Sequence, residues 1–351
     1  MVPLPDKTER MSVPIEFLSM DLPDGGSVRK IADGVLWVRM PLPFQLNHIN
    51  LWLLEDGDGW ALIDTGINTP ETRRLWRTLL SDLPHEGRLN RLICTHAHPD
   101  HMGLAGWFES DFHLDLTTTK NEWRQGNFFS ADWDGKSAEL SSYFKKAGCT
   151  DGQVRQIAKH VFESHHLYSG MPASYGVIAD GDRIEIGGRY WQVMVAFGHS
   201  SEHACLYCRE DGILIGGDQI LPKITPTIVL PPDEPDGDPL RAFLESNQQF
   251  RPLPEETLVL PSHNLPFRGL HVRLDEYEAH HASRLDMTYD ACSTARSAID
   301  VASKLFKPLS DPHQLFFAVG ETLSHIRYLE TDGKISAVEG EGGVTLFRQA
   351  A

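Results

Sequence analysis

Three histidines and an aspartate fall within six residues of the segment Thr95-His96-Ala97-His98-Pro99-Asp100-His101-Met102-Gly103. They follow the apolar run Arg91-Leu92-Ile93-Cys94-Thr95, which reads as a short buried strand. Imidazoles crowded into a loop at a strand end compete for protons and repel one another once charged. A divalent cation removes the conflict, because neutral imidazole and carboxylate are its natural ligands. His96 and His98 can converge on one ion. Asp100 and His101 then lie on the far side of the turn, where a second ion could sit.

One segment cannot complete two sites, so the missing ligands have to come from other strand ends. Two isolated histidines have that placement. His199 follows the apolar strand 191–196 in Phe197-Gly198-His199-Ser200, and His263 follows the strand 257–260 in Pro261-Ser262-His263-Asn264. One carboxylate matches them: Asp218, after Ile213-Leu214-Ile215-Gly216-Gly217. All of these elements deliver polar ligands at the C-terminal edge of an apolar strand, where α/β sheets build their sites.

The surrounding pattern is one of strands in two batches. Val35–Met40, Asn50–Glu55 and Trp60–Asp64 read as strands, the last two joined by an Asp-Gly turn, and a helix follows from Thr69 to Leu83 with Pro70 in its first turn. Strands return at 183–186, 191–195, 213–215 and 257–260, with a helix at 239–250. Between the batches, residues 109–172 read as a helical insertion, with helices near 118–129, 136–147 and 151–166. Beyond residue 270 the chain turns helical, over 274–305 and 312–330, and ends in a hairpin over 335–347. The expected organisation is therefore an α/β sandwich over residues 1–270 and a helical, winged-helix-like extension over 271–351. Packing or dimerisation suits that extension better than nucleic-acid binding.

The H-x-H-x-D-H motif, with its later Gly-His, Gly-Gly-Asp and Ser-His elements, resembles the metallo-β-lactamase fold superfamily over about residues 29–270. The resemblance implies a four-layered αββα sandwich with two metal ions at one edge. His96, His98 and His199 would hold the first ion, and Asp100, His101 and His263 the second, with Asp218 bridging both. Asp64, in Ile63-Asp64-Thr65-Gly66, matches the family's buried aspartate that supports the metal loop from behind. His203 is a candidate for a similar supporting role. His48, Trp123, Phe128, Phe129, Tyr168 and Tyr175 are candidates to line the substrate pocket, five of them in or beside the insertion that would cover the metals.

The chemistry implied is hydrolysis by a hydroxide held between two divalent ions, with Asp100 and Asp218 in catalytic positions. Zinc is the first expectation, and Mn²⁺ or Fe²⁺ suit the same ligands. Family members that open β-lactams generally lack the bridging aspartate, which ranks that activity low here. An ester-like bond, thioester or lactone, with an apolar acyl part is the leading expectation. The tail and Asp218–Pro226 look like the branch containing the mammalian lactamase-beta-like protein, which makes a metal-dependent nuclease or phosphodiesterase the alternative. The charge balance weighs against it: 32 basic and 49 acidic residues leave a formal charge of −17, and phosphate backbones are bound by cationic surfaces. The expected partner is a small molecule, with no nucleic acid and no membrane, and a homodimer is allowed. No stretch approaches the roughly 20 apolar residues of a spanning helix, and the first twenty-five lack a signal-type run, so a cytoplasmic location is expected. The five cysteines fit reduced, buried thiols; Cys205 and Cys208, three apart on a strand, should face opposite sides.

Overall fold

The computed structural model describes residues 14–44, 46–131, 137–306 and 311–350. Its frame is a pair of seven-stranded mixed sheets packed face to face. One sheet runs in the spatial order Val28–Ala32, Val35–Pro41, His48–Asp56, Gly59–Ile63, Leu89–Ile93, Leu116–Thr118, Gly176–Val177. The other runs Glu16–Phe17, Phe267–Arg268, Leu258–Pro261, Ile213–Gly217, His203–Cys208, Arg189–Ala196, Arg183–Ile186. Antiparallel hairpins dominate both, and parallel pairing appears where a helix intervenes, as between Gly59–Ile63 and Leu89–Ile93.

Three apolar layers follow from the alternation of side chains along these strands. Between the sheets lie Val35, Trp37, Trp52, Ile63, Trp191, Val193, Leu206 and Ile215, all buried. Behind the first sheet, Leu51, Leu53 and Leu62 meet the Pro70–Asp82 helix through Trp76 and Leu79. Behind the second, Cys205, Leu214 and Val259 meet Phe243 and Tyr277 of the helices Pro239–Ser246 and Leu270–Ala291. The sandwich is thus αββα, as expected. Cys205 belongs to the outer layer and Cys208 to the inner one, so the pair does face opposite sides, and all five cysteines are buried and free.

The helix starts follow local chemistry. Thr69 Oγ1 accepts from Thr72 N–H (3.1 Å) ahead of Pro70, and Thr150 makes a reciprocal capping box with Gln153. The insertion expected over 109–172 begins inside the sandwich, because Leu116–Thr118 is a strand of the first sheet, paired with Leu92–Ile93. Its helices Lys120–Ser130, Ser137–Lys146 and Asp151–Ser164 come after that strand. Phe144, Val154 and Ile157 then pack with Val301, Leu315, Val319 and Ile326 of the C-terminal helices Ala298–Leu305 and Pro312–Thr331. Insertion and extension therefore share one apolar core. The helix expected over 274–305 is two helices, separated where Arg296–Ser297 joins the three-stranded sheet of the tail.

Candidate metal centre

Every expected ligand lies at one end of the sandwich, because the strands preceding Asp64, Thr95, His199, Asp218 and His263 all end there. Asp64 anchors the arrangement. Its backbone takes a left-handed conformation (φ 62°), which turns the carboxylate under the 95–101 loop. Oδ1 accepts from Thr95 N–H (2.7 Å), and Oδ2 accepts from Thr95 Oγ1 (2.9 Å) and from His101 Nδ1–H (2.8 Å). The last bond fixes the tautomer of His101 and leaves its Nε2 facing inward, buried and without a hydrogen-bond partner.

The same device recurs around the centre. His199 Nδ1–H donates to the Thr227 carbonyl (2.9 Å), and His263 Nδ1–H donates to the His48 carbonyl (2.9 Å). Thr95 Oγ1 gives its proton to Asp64 and can therefore accept from His96 Nδ1 at 3.1 Å. The remaining nitrogens converge in two groups. His96 Nε2 lies 2.9 Å from His98 Nδ1 and 3.3 Å from His199 Nε2. His263 Nε2 lies 3.4 Å from Asp100 Oδ2, and His101 Nε2 lies 3.8 Å from the same oxygen. Asp218 stands between the groups: Oδ2 is 3.5 Å from His199 Nε2, while Oδ1 is 3.5 Å from both His101 Nε2 and His263 Nε2. Donor atoms of His96, His98, His199 and Asp218 all lie within 4.8 Å of one another, as do those of Asp100, His101 and His263.

The protonation pattern follows from the neighbours. Burial, reinforced by His101 and the other imidazoles, holds His96 well below the usual histidine value, and burial with His199 takes His98 down to about 3. Both keep free lone pairs. Burial opposes a proton on His263, yet Asp218 and Asp100 outweigh it and raise the value to about 10. Asp100, Asp64 and Asp218 likewise override burial at His101 and raise it. Buried imidazole lone pairs facing one another, with Asp218 Oδ1 and His101 Nε2 unpartnered, form a donor set of nitrogen and oxygen that suits divalent zinc, manganese or iron.

His203 is placed as a support. Its ring stacks on His96 (4.7 Å between centroids), and its Nε2 accepts from Asp218 N–H (3.1 Å). Gly217 (φ 53°) makes room for it, since a Cβ there would come within 2.4 Å of the ring. His48 works through its backbone, because its own ring is occupied: Nδ1 pairs with Asn47 and Nε2 accepts from Asn264 N–H (3.2 Å). Tyr168 is buried and its O–H donates to the Ala97 carbonyl (2.7 Å), inside the metal loop. Trp123 stacks on Tyr175 (4.6 Å) and, with Phe129, leans on the core behind the first sheet. Phe128 packs toward the core shared by insertion and extension.

One supporting residue escaped the sequence reading. Glu122, fully buried in the Lys120–Ser130 helix, accepts from Ala97 N–H (2.8 Å) with one oxygen and from Glu202 N–H (2.6 Å) with the other. It ties the loop carrying His96 and His98 to the loop carrying His199. The signal was ambiguous: Thr119-x-x-Glu122 has the spacing of a helix capping box, yet Thr119 Oγ1 donates to the Glu202 carbonyl instead.

Comparison with known proteins identifies the family and the fold. Residues 45–263 match the family model described as Metallo-beta-lactamase superfamily, and residues 285–350 match Metallo-beta-lactamase-like, C-terminal domain. The chain belongs to the metallo-beta-lactamase superfamily. It is 34% identical to a crystallised beta-lactamase domain protein from Burkholderia ambifaria, with a TM-score of 0.88 over 96% of this chain and 98% of that one. A metallo-beta-lactamase family protein from Thermus thermophilus, TTHA1429, superposes with a TM-score of 0.78 at 25% identity, over 91% of this chain and 100% of that one. Among curated relatives, the probable metallo-hydrolase YqjP of Bacillus subtilis is 23% identical over 90% of this chain and 98% of its own length. Human MBLAC2, named an acyl-coenzyme A thioesterase, is 24% identical over 55% of this chain and 65% of its own length.

Proposed function

We propose that this chain is a dinuclear metal-dependent hydrolase, with zinc as the first choice of metal, that cleaves an ester-like bond, thioester or lactone, with an apolar acyl part. The observation that carries the reading is Asp218, whose two oxygens face the two ligand groups at equal distances of 3.5 Å. His96, His98 and His199 would hold one ion, Asp100, His101 and His263 the other. Ions bound there would supply Lewis-acid polarisation of a carbonyl oxygen and an activated water at neutral pH.

The chain's own residues set the geometry of that chemistry. Asp64, the Thr227 carbonyl and the His48 carbonyl each hold a ligand imidazole by its outer nitrogen, so the inner nitrogens keep one orientation. His203 and Glu122 hold the backbone of Asp218 and of the 96–98 loop. Tyr168 and Glu122 of the Lys120–Ser130 helix fix the loop's backbone at the Ala97 carbonyl and N–H. No serine or cysteine nucleophile is required, and the cysteines are buried with Cys94 and Cys205 pushed up by burial, so none is activated. The thioester preference is supported by the name of the MBLAC2 relatives and by the acidic surface, which disfavours a phosphodiester strand.

The test is metal content by mass spectrometry on protein purified without added metal, run beside a panel of an acyl thioester, an acyl lactone, a β-lactam and a phosphodiester. About two metal ions per chain and turnover of the thioester or lactone are expected. Turnover of the phosphodiester alone would replace this reading with the nuclease.

A further inference from the structure

Arg39 sits on the Val35–Pro41 strand, directly opposite Asn50 of the neighbouring strand. It shares a face with Val35 and Trp37, the side that looks between the sheets, but at the end where the metal ligands gather. Asn50 and His48 lie on the corresponding face of the adjoining strand. Asn50 spans the gap: Nδ2 donates to the carbonyls of Pro261 (2.9 Å) and Asn264 (2.7 Å), on either side of His263. Arg39, His48, Asn50 and the 261–264 loop thus form one wall beside the second ligand group.

This wall carries two buried hydrogen-bond donors with nothing to bind. Arg39 Nε and Asn264 Nδ2 are both shielded from solvent and have no acceptor among the described residues. Asn264 is held in a left-handed conformation (φ 69°), its N–H given to His48 Nε2 and its carbonyl taken by Asn50, which leaves the side-chain amide as its free group. Buried donors without partners are uncommon, and each costs about 1–3 kcal/mol. Arg39 is also without an ion pair among the described residues, in a chain of net charge −17 where acid is plentiful. Two arginines of the wide groove at the other end of the strands, about 1020 Å³, are paired: Arg91 with Asp56 (2.8 Å) and Arg189 with Asp211 (2.6 Å).

We infer that Arg39 and Asn264 form an anion-binding subsite beside the metal centre, which receives a carboxylate or phosphate group of the substrate. A guanidinium matches the two oxygens of such a group, and the Asn264 amide adds a neutral donor. The inference rests on the hydrolase reading for its substrate and narrows it: the ester-like substrate carries a negative group within one side chain's reach of the scissile carbonyl. The apolar acyl part would lie toward the insertion and the charged part toward this wall.

The experiment titrates the metal-loaded, full-length chain with glutarate and, separately, with inorganic phosphate, by calorimetry. Wild type, Arg39→Gln, Arg39→Lys and Asn264→Gly are compared; glycine keeps the backbone conformation of residue 264 without strain. Arg39→Gln is expected to weaken one of the two anions at least about 10-fold, Arg39→Lys less, and Asn264→Gly by a few-fold. Loss confined to glutarate assigns a carboxylate, and loss confined to phosphate assigns a phosphate. A kinetic arm reads the ratio of kcat/KM between succinyl and butyryl thioesters of N-acetylcysteamine, and between the coenzyme A and N-acetylcysteamine thioesters of butyrate. Arg39→Gln should lower one of these ratios about 10-fold or more. Anion affinities within twofold of wild type for Arg39→Gln, whether or not the protein turns over thioesters, overturn the subsite. Absence of any ester turnover by the wild type, with the anion titration intact, overturns the hydrolase reading alone.

Discussion

Two groups of histidines are buried in this protein, and they are opposites. The first spans residues 96–263 at the sandwich edge. The second is His281 and His325, where the Leu270–Ala291 and Pro312–Thr331 helices cross, with His281 Nδ1 3.3 Å from His325 Nε2. In the first, Asp64, Asp100 and Asp218 face the rings and several nitrogens point at common centres. In the second, Arg284 and His280 are the charged or ionisable neighbours, and His325 Nδ1–H is consumed by the Glu321 carbonyl (2.8 Å). Burial therefore pushes His281 down to about 3 and His325 down to about 4. Burial of imidazole alone yields a neutral packing group. It becomes a cation site only when carboxylates enter the same shell and the outer nitrogens are already satisfied.

The comparison breaks most visibly at Asp218. Asp218→Ala removes the carboxylate shared by both ligand groups, and the loss of transition-state stabilisation is expected to be about 4 kcal/mol, or roughly a thousandfold in kcat/KM. Metal content should fall below that of the wild type in the same preparation, while His325→Leu should leave metal content unchanged. Equal metal binding in wild type and Asp218→Ala would erase the distinction between the two groups. A chelator should abolish turnover in wild type and reloading with zinc should restore it.

Glu122 offers a smaller, sharper probe, because it lies outside both ligand groups and accepts from the backbone of the two ligand loops. Glu122→Ala leaves the Ala97 and Glu202 N–H groups unpaired in a buried site. Metal affinity is expected to fall about 10–100-fold, as for other residues that orient ligands from behind, with Glu122→Gln recovering part of it. A competition titration with a chromophoric chelator reads this directly. Burial raises the pKa of Glu122, yet its two N–H donors favour the ionised form, so the glutamine variant tests whether charge or hydrogen bonding matters.

The smallest effect concerns the second group. Histidine titrates near 6.5 in the unfolded chain, against about 3 for His281 in the fold. A depressed value means that the unfolded state takes up the proton first as pH falls. The stability that a neutral His281 contributes is complete above pH 6.5 and drains away below it, at a slope that approaches about 1.4 kcal/mol per pH unit. Glu321, whose backbone carbonyl takes the His325 proton, acts with the opposite sign: burial raises it to about 7, so its contribution is present at low pH and is lost as pH rises through 7. Comparing wild type with His281→Gln by urea unfolding at pH 7, 6 and 5 isolates the histidine. The variant's stability should gain on wild type by about 0.7 kcal/mol between pH 7 and 6 and by about 1.2 kcal/mol between pH 6 and 5. Parallel curves would show that His281 is charged or hydrated in the native protein.

The legible parts of the molecule were those written locally. His96, His98, Asp100 and His101 lie within one turn of chain, and His199, Asp218 and His263 each announce themselves by following an apolar strand. Asp64 was legible through the resemblance of Ile63-Asp64-Thr65-Gly66 to the family's buried aspartate. Strand periodicity gave an α/β sandwich, and the αββα layering came from the family resemblance; the insertion helices and the 312–330 helix were placed within a few residues of their observed ends, whereas the single helix expected over 274–305 is two. The strand Leu116–Thr118 was missed because three residues between helical stretches carry no period of their own.

Sequence alone thus determined which atoms could bind metal, since ligand chemistry belongs to residue type and strand ends can be recognised from neighbouring residues. Tertiary structure decided how those atoms are held and what else faces them. Glu122 meets Ala97 across 25 positions and Asn50 meets Asn264 across 214, and neither relation leaves a local pattern. The shared core of the insertion and the C-terminal helices, through Phe144, Ile157 and Val319, is likewise a contact between distant segments. Those relations exist only after the sheets have stacked, because the desolvation that makes an orphan donor or a neutral histidine consequential comes from packing and not from the order of residues.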